Sequence, residues 1–174
     1  VATPVLDMRY ARASYQNQHW FPFGGGHALM LNGDIGYAHG YDGKELPFYK
    51  NFYAGGIGSV RGYQQSTLGP HYTDSSGYVR SLGGNRRAIA NAEYYFPMPG
   101  GGKDKSMRLS VFADTGYVWA ADDKVRASDL RYSAGLAFSW SSPVGPLKFS
   151  LGHALKKEEG DRTQKFQFQL GTVF

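Results

Sequence analysis

The chain has 174 residues, a net charge of +5, no cysteine, 24 glycines and 16% aromatic residues. The absence of cysteine excludes a disulfide scaffold and a Cys-ligated metal site. No apolar run approaches the roughly 20 residues that a membrane-spanning helix requires. The mean hydropathy of −0.44 still permits a membrane β-barrel, whose strands alternate lipid-facing apolar residues with lumen-facing polar ones.

Strand patterning is found in seven segments of the chain and is clearest in the C-terminal half. Apolar residues alternate with small or polar residues in most segments, although the first alternates poorly. The predicted strands cover residues 7–21, 28–37, 88–96, 107–119, 130–140, 147–155 and 166–174. Their lengths suit tilted membrane strands. The sequence therefore predicts an all-β, antiparallel transmembrane β-barrel fold with about seven strands.

The connections alternate in length. Short or Gly/Pro-rich turns lie at residues 22–26, 97–106 and 141–146, and longer segments lie at 41–87, 121–129 and 156–164. In outer-membrane barrels the periplasmic turns are short and the extracellular loops are longer. The longer segments are therefore predicted to be extracellular. A connection as long as 41–87 usually has a function.

The segment FYAGGIGSVRGYQ, residues 52–64, places Arg61 in a glycine-rich loop. Glycines leave room for such an arginine to be pushed deep into a barrel lumen. A buried arginine needs acidic partners, and Glu93 and Asp114 lie on the polar faces of later strands. Two other interpretations stay open: these charges only solvate the lumen, or the two carboxylates form a hydrolytic pair.

Several other features bear on the class of protein. Aromatic residues near strand ends are typical of an interfacial girdle, although a soluble sandwich also carries strand aromatics. They are Trp20, Phe21, Phe23, Tyr95, Phe96, Tyr117, Trp119, Trp140 and Phe174. The basic residues cluster in turns and loops, which favours solvent or lipid headgroups over nucleic acid. The five histidines lack metal-ligand spacing, and no cofactor motif is present.

Residues 51–70, NFYAGGIGSVRGYQQSTLGP, resemble the sixth extracellular loop of the outer-membrane barrel-assembly proteins. That family belongs to a superfamily that also includes two-partner secretion translocators. The resemblance covers nearly the whole chain and is least clear over residues 1–27. Further matching stretches are KELPFY at 44–49, GGN at 83–85, VFADTGYVW at 111–119, LRYSAG at 130–135, SPVGPL at 142–147 and FQFQLG at 166–171.

The resemblance implies a site inside the barrel. The loop tip, Val60, Arg61, Gly62 and Tyr63, would fold back into the lumen, where Arg61 would meet Glu93 and Asp114. The resemblance also implies a C-terminal strand that pairs weakly with the first strand of the barrel as a lateral gate. In that strand Phe166, Phe168 and Leu170 would face one side, Gly171 would be a kink, and Phe174 would belong to an assembly signal.

Family members carry periplasmic POTRA domains and a barrel of 16 strands. The resemblance therefore implies that residues 1–174 are the C-terminal part of such a barrel, without POTRA domains. A truncated barrel closed by an extra strand or by a second copy is the alternative. Some closure is required, because an open sheet edge in a membrane leaves backbone groups unsatisfied.

The function expected from the resemblance is assembly and insertion of other outer-membrane proteins, with no enzymatic step. The expected partners are outer-membrane lipids, unfolded outer-membrane protein clients and accessory lipoproteins, with a homo-oligomer if the chain is autonomous. A polypeptide-secreting translocator of the same superfamily and a passive structural barrel or porin are the alternatives. We expect no cofactor, no metal and no nucleic-acid partner.

Overall fold

The computed structural model describes residues 10–41, 46–100, 106–143 and 145–171. It contains short 3₁₀ helices at Phe48–Lys50 and Ala127–Asp129. The strands are β1 (Tyr10–Gly24), β2 (His27–Gly40), β3 (Gly62–Tyr63), β4 (His71–Thr73), β5 (Val79–Ser81), β6 (Arg86–Pro97), β7 (Met107–Trp119), β8 (Arg131–Ser142), β9 (Gly145–Ala154), β10 (Thr163–Gln164) and β11 (Phe166–Leu170). No helix in these ranges is long and apolar enough to cross a membrane.

Seven of the strands form one antiparallel sheet in the order β1-β2-β6-β7-β8-β9-β11. The predicted number of strands and their antiparallel arrangement are confirmed. Within the described residues, β1 and β11 each pair on one side only, so this part of the barrel is an open sheet. The short strands pair as β3 with β10 and β4 with β5, apart from the main sheet.

The two faces of the sheet differ in chemistry, as the alternation predicts. On β7, Ser110, Phe112 and Asp114 are buried under the long loop. The opposite, outer face is apolar and exposed, for example at Leu136 (56%) and Leu151 (58%). Because successive side chains of a strand point to opposite faces, the outer face suits lipid and the inner face forms the lumen wall.

The segment between β2 and β6 packs onto the inner face. The predicted loop, 41–87, is shorter in the structure, because β6 begins at Arg86 and the connection ends at residue 85. An apolar cluster joins this loop to the wall. Its members are Ala38, Phe52, Ala54, Val60, Tyr63, Leu68, Ile89 and Val118. The lumen wall is therefore not uniformly polar. Its residues Ala38, Ile89 and Val118 are apolar and pack against the apolar side chains of the loop.

The two edge strands of the sheet, β1 and β11, differ from their predicted bounds. The first continues to Gly24, beyond the predicted end at residue 21. The last ends at Leu170, and the predicted kink residue Gly171 follows it with a φ of +87°. A positive φ is readily adopted by glycine but ends an extended strand. Residues 7–9 of the first predicted strand, Lys44, Glu45 and Phe174 lie outside the described residues.

Two aromatic residues assigned to the interfacial girdle face the lumen instead. Trp20 lies opposite Met30, which is 7% exposed on the inner face. The Trp20 ring packs 5.2 Å from that of Tyr95, which is also buried. The poor alternation of the first strand hid its register, and register determines which face every side chain occupies.

Candidate functional site inside the barrel

The site is built around the Arg61 side chain, which is held by two strands. Neighbouring strands β6 and β7 place Asn91 opposite Asp114 and Phe112 opposite Glu93. The two carboxylates are therefore diagonal neighbours on one face. Arg61 Nη1 donates a hydrogen bond to Glu93 Oε2 at 2.8 Å, and Arg61 Nε donates to Asp114 Oδ2 at 2.7 Å.

Further contacts complete this cluster. Arg61 Nη2 donates to Asp114 Oδ1 at 2.8 Å, and the Arg61 backbone N–H donates to Asp114 Oδ2 at 3.0 Å. Ser110 Oγ donates to Glu93 Oε1 at 2.6 Å. The guanidinium carbon lies 3.6 Å from the centre of the Phe112 ring, a cation–π geometry.

The cluster is almost excluded from solvent, since Arg61, Glu93 and Asp114 are 4%, 1% and 3% exposed. Burial by itself would lower the pKa of the Arg61 guanidinium. The hydrogen bond and charge of Asp114 and the charge of Glu93 outweigh burial and raise this pKa above its ordinary value. Arg61 therefore stays charged. Both carboxylates bind the same cation, an arrangement suited to a clamp rather than to acid–base chemistry.

The other residues of the loop tip are fixed as well. Val60 is fully buried in the apolar cluster. Gly62 has a φ of +88° and passes over Gly152, where an added Cβ would lie 2.7 Å from the Gly62 nitrogen. Gly62 and Tyr63 pair with Gln164 and Thr163 of β10. Glycines on both the loop and the wall permit this close approach.

Tyr63 anchors the tip toward the loop that precedes β10. Its hydroxyl donates to the backbone oxygen of Tyr132 at 3.0 Å and also contacts the backbone oxygen of Lys156. Burial and the nearby charge of Asp161 raise the pKa of Tyr63 to about 12. The hydroxyl therefore remains a donor throughout the physiological range.

The sequence-based interpretation missed Phe52, which carries the apolar part of the loop. Phe52 is 1% exposed and lies on Gly36, where an added Cβ would be 2.7 Å from the ring. The guanidinium carbons of Arg12 and Arg87 lie 4.4 and 5.1 Å from the ring centre. The alternation of arginine and glycine on inner-face positions is the only sequence signal for this contact.

A second buried ion pair was also missed; it lies on β8, where Arg131 is opposite Gly116, two residues from Asp114. Arg131 at the start of β8 is 3% exposed, and its Nε donates to Asp161 Oδ2 at 2.5 Å. Arg131 Nη2 lies 3.2 Å from Glu158 Oε2. These contacts hold the segment that leads into β10 and β11. Buried arginines thus hold both the loop tip, through Arg61, and the segment before β10, through Arg131.

The predicted residues of the C-terminal strand lie away from the Arg61 cluster. Phe166, Phe168 and Leu170 are 52%, 65% and 61% exposed on the outer face of β11. Gly171 follows β11, and its backbone N–H donates to Pro146 O at 2.8 Å. Within the described ranges, no group of three or more side chains could hold a metal ion.

The fold and this site define a segment of an antiparallel transmembrane β-barrel whose inner face is covered by a loop clamped through a buried arginine. Residues 2–174 match the Omp85 superfamily domain. The chain belongs to the Omp85 superfamily, and the family resemblance and fold predicted from the sequence are confirmed.

Two bacterial relatives and one solved structure share the name BamA. The outer membrane protein assembly factor BamA of Neisseria meningitidis serogroup B is 43% identical over 199 residues, covering all of this chain and 25% of the relative. BamA of Nitratidesulfovibrio vulgaris is 32% identical over 133 residues, covering 75% of this chain and 16% of the relative. The crystal structure of BamA from Haemophilus ducreyi lacking POTRA domains 1-3 has a TM-score of 0.83 and 32% identity, covering 95% of this chain and 35% of that one.

The chain spans about a quarter of the length of the Neisseria relative, 25%. Its similarity to outer-membrane relatives nonetheless extends along essentially every described strand. The chain is an outer-membrane protein of a Gram-negative bacterium.

Proposed function

We propose that this chain is the C-terminal part of the barrel of an outer-membrane protein assembly factor, which folds and inserts other β-barrel proteins. The observation that carries the proposal is a clamped lumen loop beside a short edge strand, in a chain similar along its whole length to an assembly factor. Residues 41–85 are assigned to the extracellular side, and the remaining strands and any POTRA domains to other parts of the complete protein.

The proposed mechanism uses the edge of β11 as a template. This strand has only five residues, and within the described residues it pairs only with β9. The free edge of a strand presents backbone donors and acceptors to which an unfolded client can add its own strand. Weak pairing with the first barrel strand would open this edge as a lateral gate, and local thinning of the membrane would lower the barrier to insertion.

The Arg61 clamp has a structural role in this proposal. It keeps the loop inside the barrel and stabilises the wall while the lateral gate opens. Leaving any member of the cluster unpaired would be costly, because a buried charge without its partner is strongly destabilising. The assigned site residues are therefore Val60, Arg61, Gly62 and Tyr63 with Glu93 and Asp114, together with Phe166, Phe168, Leu170, Gly171 and Phe174 of the C-terminal strand.

The proposed partners follow from this role. Unfolded outer-membrane proteins are the clients, and the apolar outer face contacts outer-membrane lipids, as expected from exposed Leu136 and Leu151. Accessory lipoproteins are proposed to bind the complete assembly factor. Closure through a second copy applies only if the chain acts without further strands.

The decisive experiment reconstitutes the complete protein in proteoliposomes and follows folding of a small urea-denatured barrel protein by its heat-modifiable gel mobility. An assembly factor accelerates folding relative to empty liposomes. Depletion in the host should also lower the amounts of folded outer-membrane barrels and stop growth. Unchanged folding, together with a conductance that a partner's secretion domain blocks, would instead identify a translocator. Normal growth on depletion would identify a passive barrel.

A further inference from the structure

The side chain of Gln167 distinguishes β11 from an ordinary edge strand. Gln167 is 6% exposed on the inner face, whereas its neighbours Phe166 and Phe168 are 52% and 65% exposed on the outer face. Its carboxamide therefore lies in the barrel interior, where polar groups require hydrogen-bond partners. Those partners are backbone atoms of the loop tip rather than groups of the sheet.

Both ends of the Gln167 carboxamide bind the loop. Gln167 Nε2 donates to the backbone oxygen of Tyr63 at 2.7 Å. The backbone N–H of Gly62 donates to Gln167 Oε1 at 3.4 Å. Rotating the amide by half a turn would oppose donor to donor and acceptor to acceptor, so the loop backbone selects a single orientation.

These bonds extend the Arg61 clamp across the inner face. Asp114 on β7 holds Arg61, the next two residues of the loop bind Gln167, and Gln167 belongs to β11. The loop thus joins β7 to β11 over the two intervening strands of the sheet, β8 and β9. The close approach at Gly152 keeps the loop backbone directly against the wall along this path.

We infer that Gln167 is a positioning residue that latches the edge strand to the clamped loop, so that seating of Arg61 controls the mobility of β11. The β9 pairing attaches this short strand along its edge, and the pairing of β10 with Gly62 and Tyr63 attaches the residues just before it. Gln167 adds the attachment of β11 itself to the loop from the lumen side. The consequence for clients rests on the proposed function. When Gln167 is bound to the loop, β11 is an ordered template; when that contact breaks, β11 becomes free to move at the lateral gate.

The test compares hydrogen exchange in the complete protein, folded in lipid nanodiscs without any client. Gln167→Met keeps the side-chain length and removes both loop bonds, and amides of residues 166–170 should exchange about tenfold faster. Gln169→Met is the matched control on the same face of β11, because the described hydrogen bond of Gln169 Nε2 goes to Gly171 O and not to the loop. Its exchange should resemble that of the unsubstituted protein.

The positions at which amide exchange becomes faster distinguish a latch from a general structural role of Gln167. A latch confines faster exchange to residues 166–170 and the loop tip, whereas a general loss of stability raises exchange in every strand. Equal exchange in the Gln167 and Gln169 variants, or a uniform increase across the sheet, would overturn the inference.

A second variant tests the same link from its far end and does not depend on the folding of the first. Arg61→Lys loosens the clamp at Asp114 and should accelerate exchange in residues 166–170, although Arg61 has no described hydrogen bond to β11. Arg80→Lys, at an exposed ion pair of the same loop, should leave β11 unchanged. Unaltered β11 exchange in Arg61→Lys would contradict the latch. Because no client is present, this result is independent of the proteoliposome folding assay.

Discussion

Asp114 binds both the backbone and the side chain of one residue, Arg61. Its Oδ2 accepts from the Arg61 N–H at 3.0 Å and from Nε at 2.7 Å, and its Oδ1 accepts from Nη2 at 2.8 Å. One carboxylate thereby fixes the position of the loop and the direction of its guanidinium. These contacts attach the loop firmly to the wall. If the Arg61 guanidinium moved away, the buried carboxylate of Asp114 would lose its charged partner, which is costly.

Removal of the buried cation should strongly destabilise the barrel. We expect Arg61→Met to lower the free energy of unfolding by about 3–5 kcal/mol, since two buried carboxylates lose their partner. The measurement is the temperature at which the complete protein loses its heat-modifiable gel band. Arg80→Met is the control, because the Arg80 side chain is 62% exposed in its pair with Asp74. Such exposed pairs contribute little to stability, because water and salt screen the charges. Equal effects of the two substitutions would contradict a clamp.

The two carboxylates should differ in importance. Asp114 accepts three hydrogen bonds from Arg61, whereas Glu93 accepts one from Arg61 and one from Ser110. Asp114→Asn should therefore destabilise the barrel by about 3 kcal/mol and Glu93→Gln by about 1–2 kcal/mol. Urea unfolding of the two variants under the same conditions gives the order. The reverse order would show that Glu93 is the main anchor.

Close packing of the loop on the wall predicts sensitivity at Gly152. Gly152→Ala places a methyl group 2.7 Å from the Gly62 nitrogen, so either the loop tip or β9 must shift. We expect a loss of about 1–3 kcal/mol of stability and faster proteolysis of the loop. Gly33→Ala on β2 is the control, because an added Cβ there meets nothing within 4 Å. Resistance of Gly152→Ala to both changes would mean that the loop does not pack here in solution.

Two phenylalanines of the loop, Phe52 and Phe48, should differ in how much they contribute to stability. Phe52 is 1% exposed between two guanidinium groups, and Phe48 in the same loop is 76% exposed. Phe52→Ala should cost about 3–5 kcal/mol, because it leaves a cavity in the packed cluster. Phe48→Ala should change stability by no more than about 0.5 kcal/mol. Thermal unfolding of both variants tests the difference, and similar midpoints would show that the cluster does not stabilise the barrel.

Much of the site could be anticipated from chemistry along the chain. Period-two alternation on β6 and β7 put Glu93 and Asp114 on the polar face, and the glycine-rich surroundings of Arg61 suggested a buried cation. The register of β6 against β7 was not readable, because alternation fixes a face but not which residues of two strands lie opposite each other. Gln167 was passed over for the same reason: as a polar residue on a lumen face it has no sequence feature that reveals its partner.

The sequence by itself determined the strand count, the antiparallel barrel class and the charged residues of the clamp, because these depend on local alternation and on residue chemistry. The tertiary structure alone decided that Trp20 faces the lumen, that Phe52 lies between Arg12 and Arg87, and that Gln167 reaches the loop tip. These relationships join residues far apart in the chain. They follow from strand register and from the path of the loop across the sheet, which no local pattern encodes.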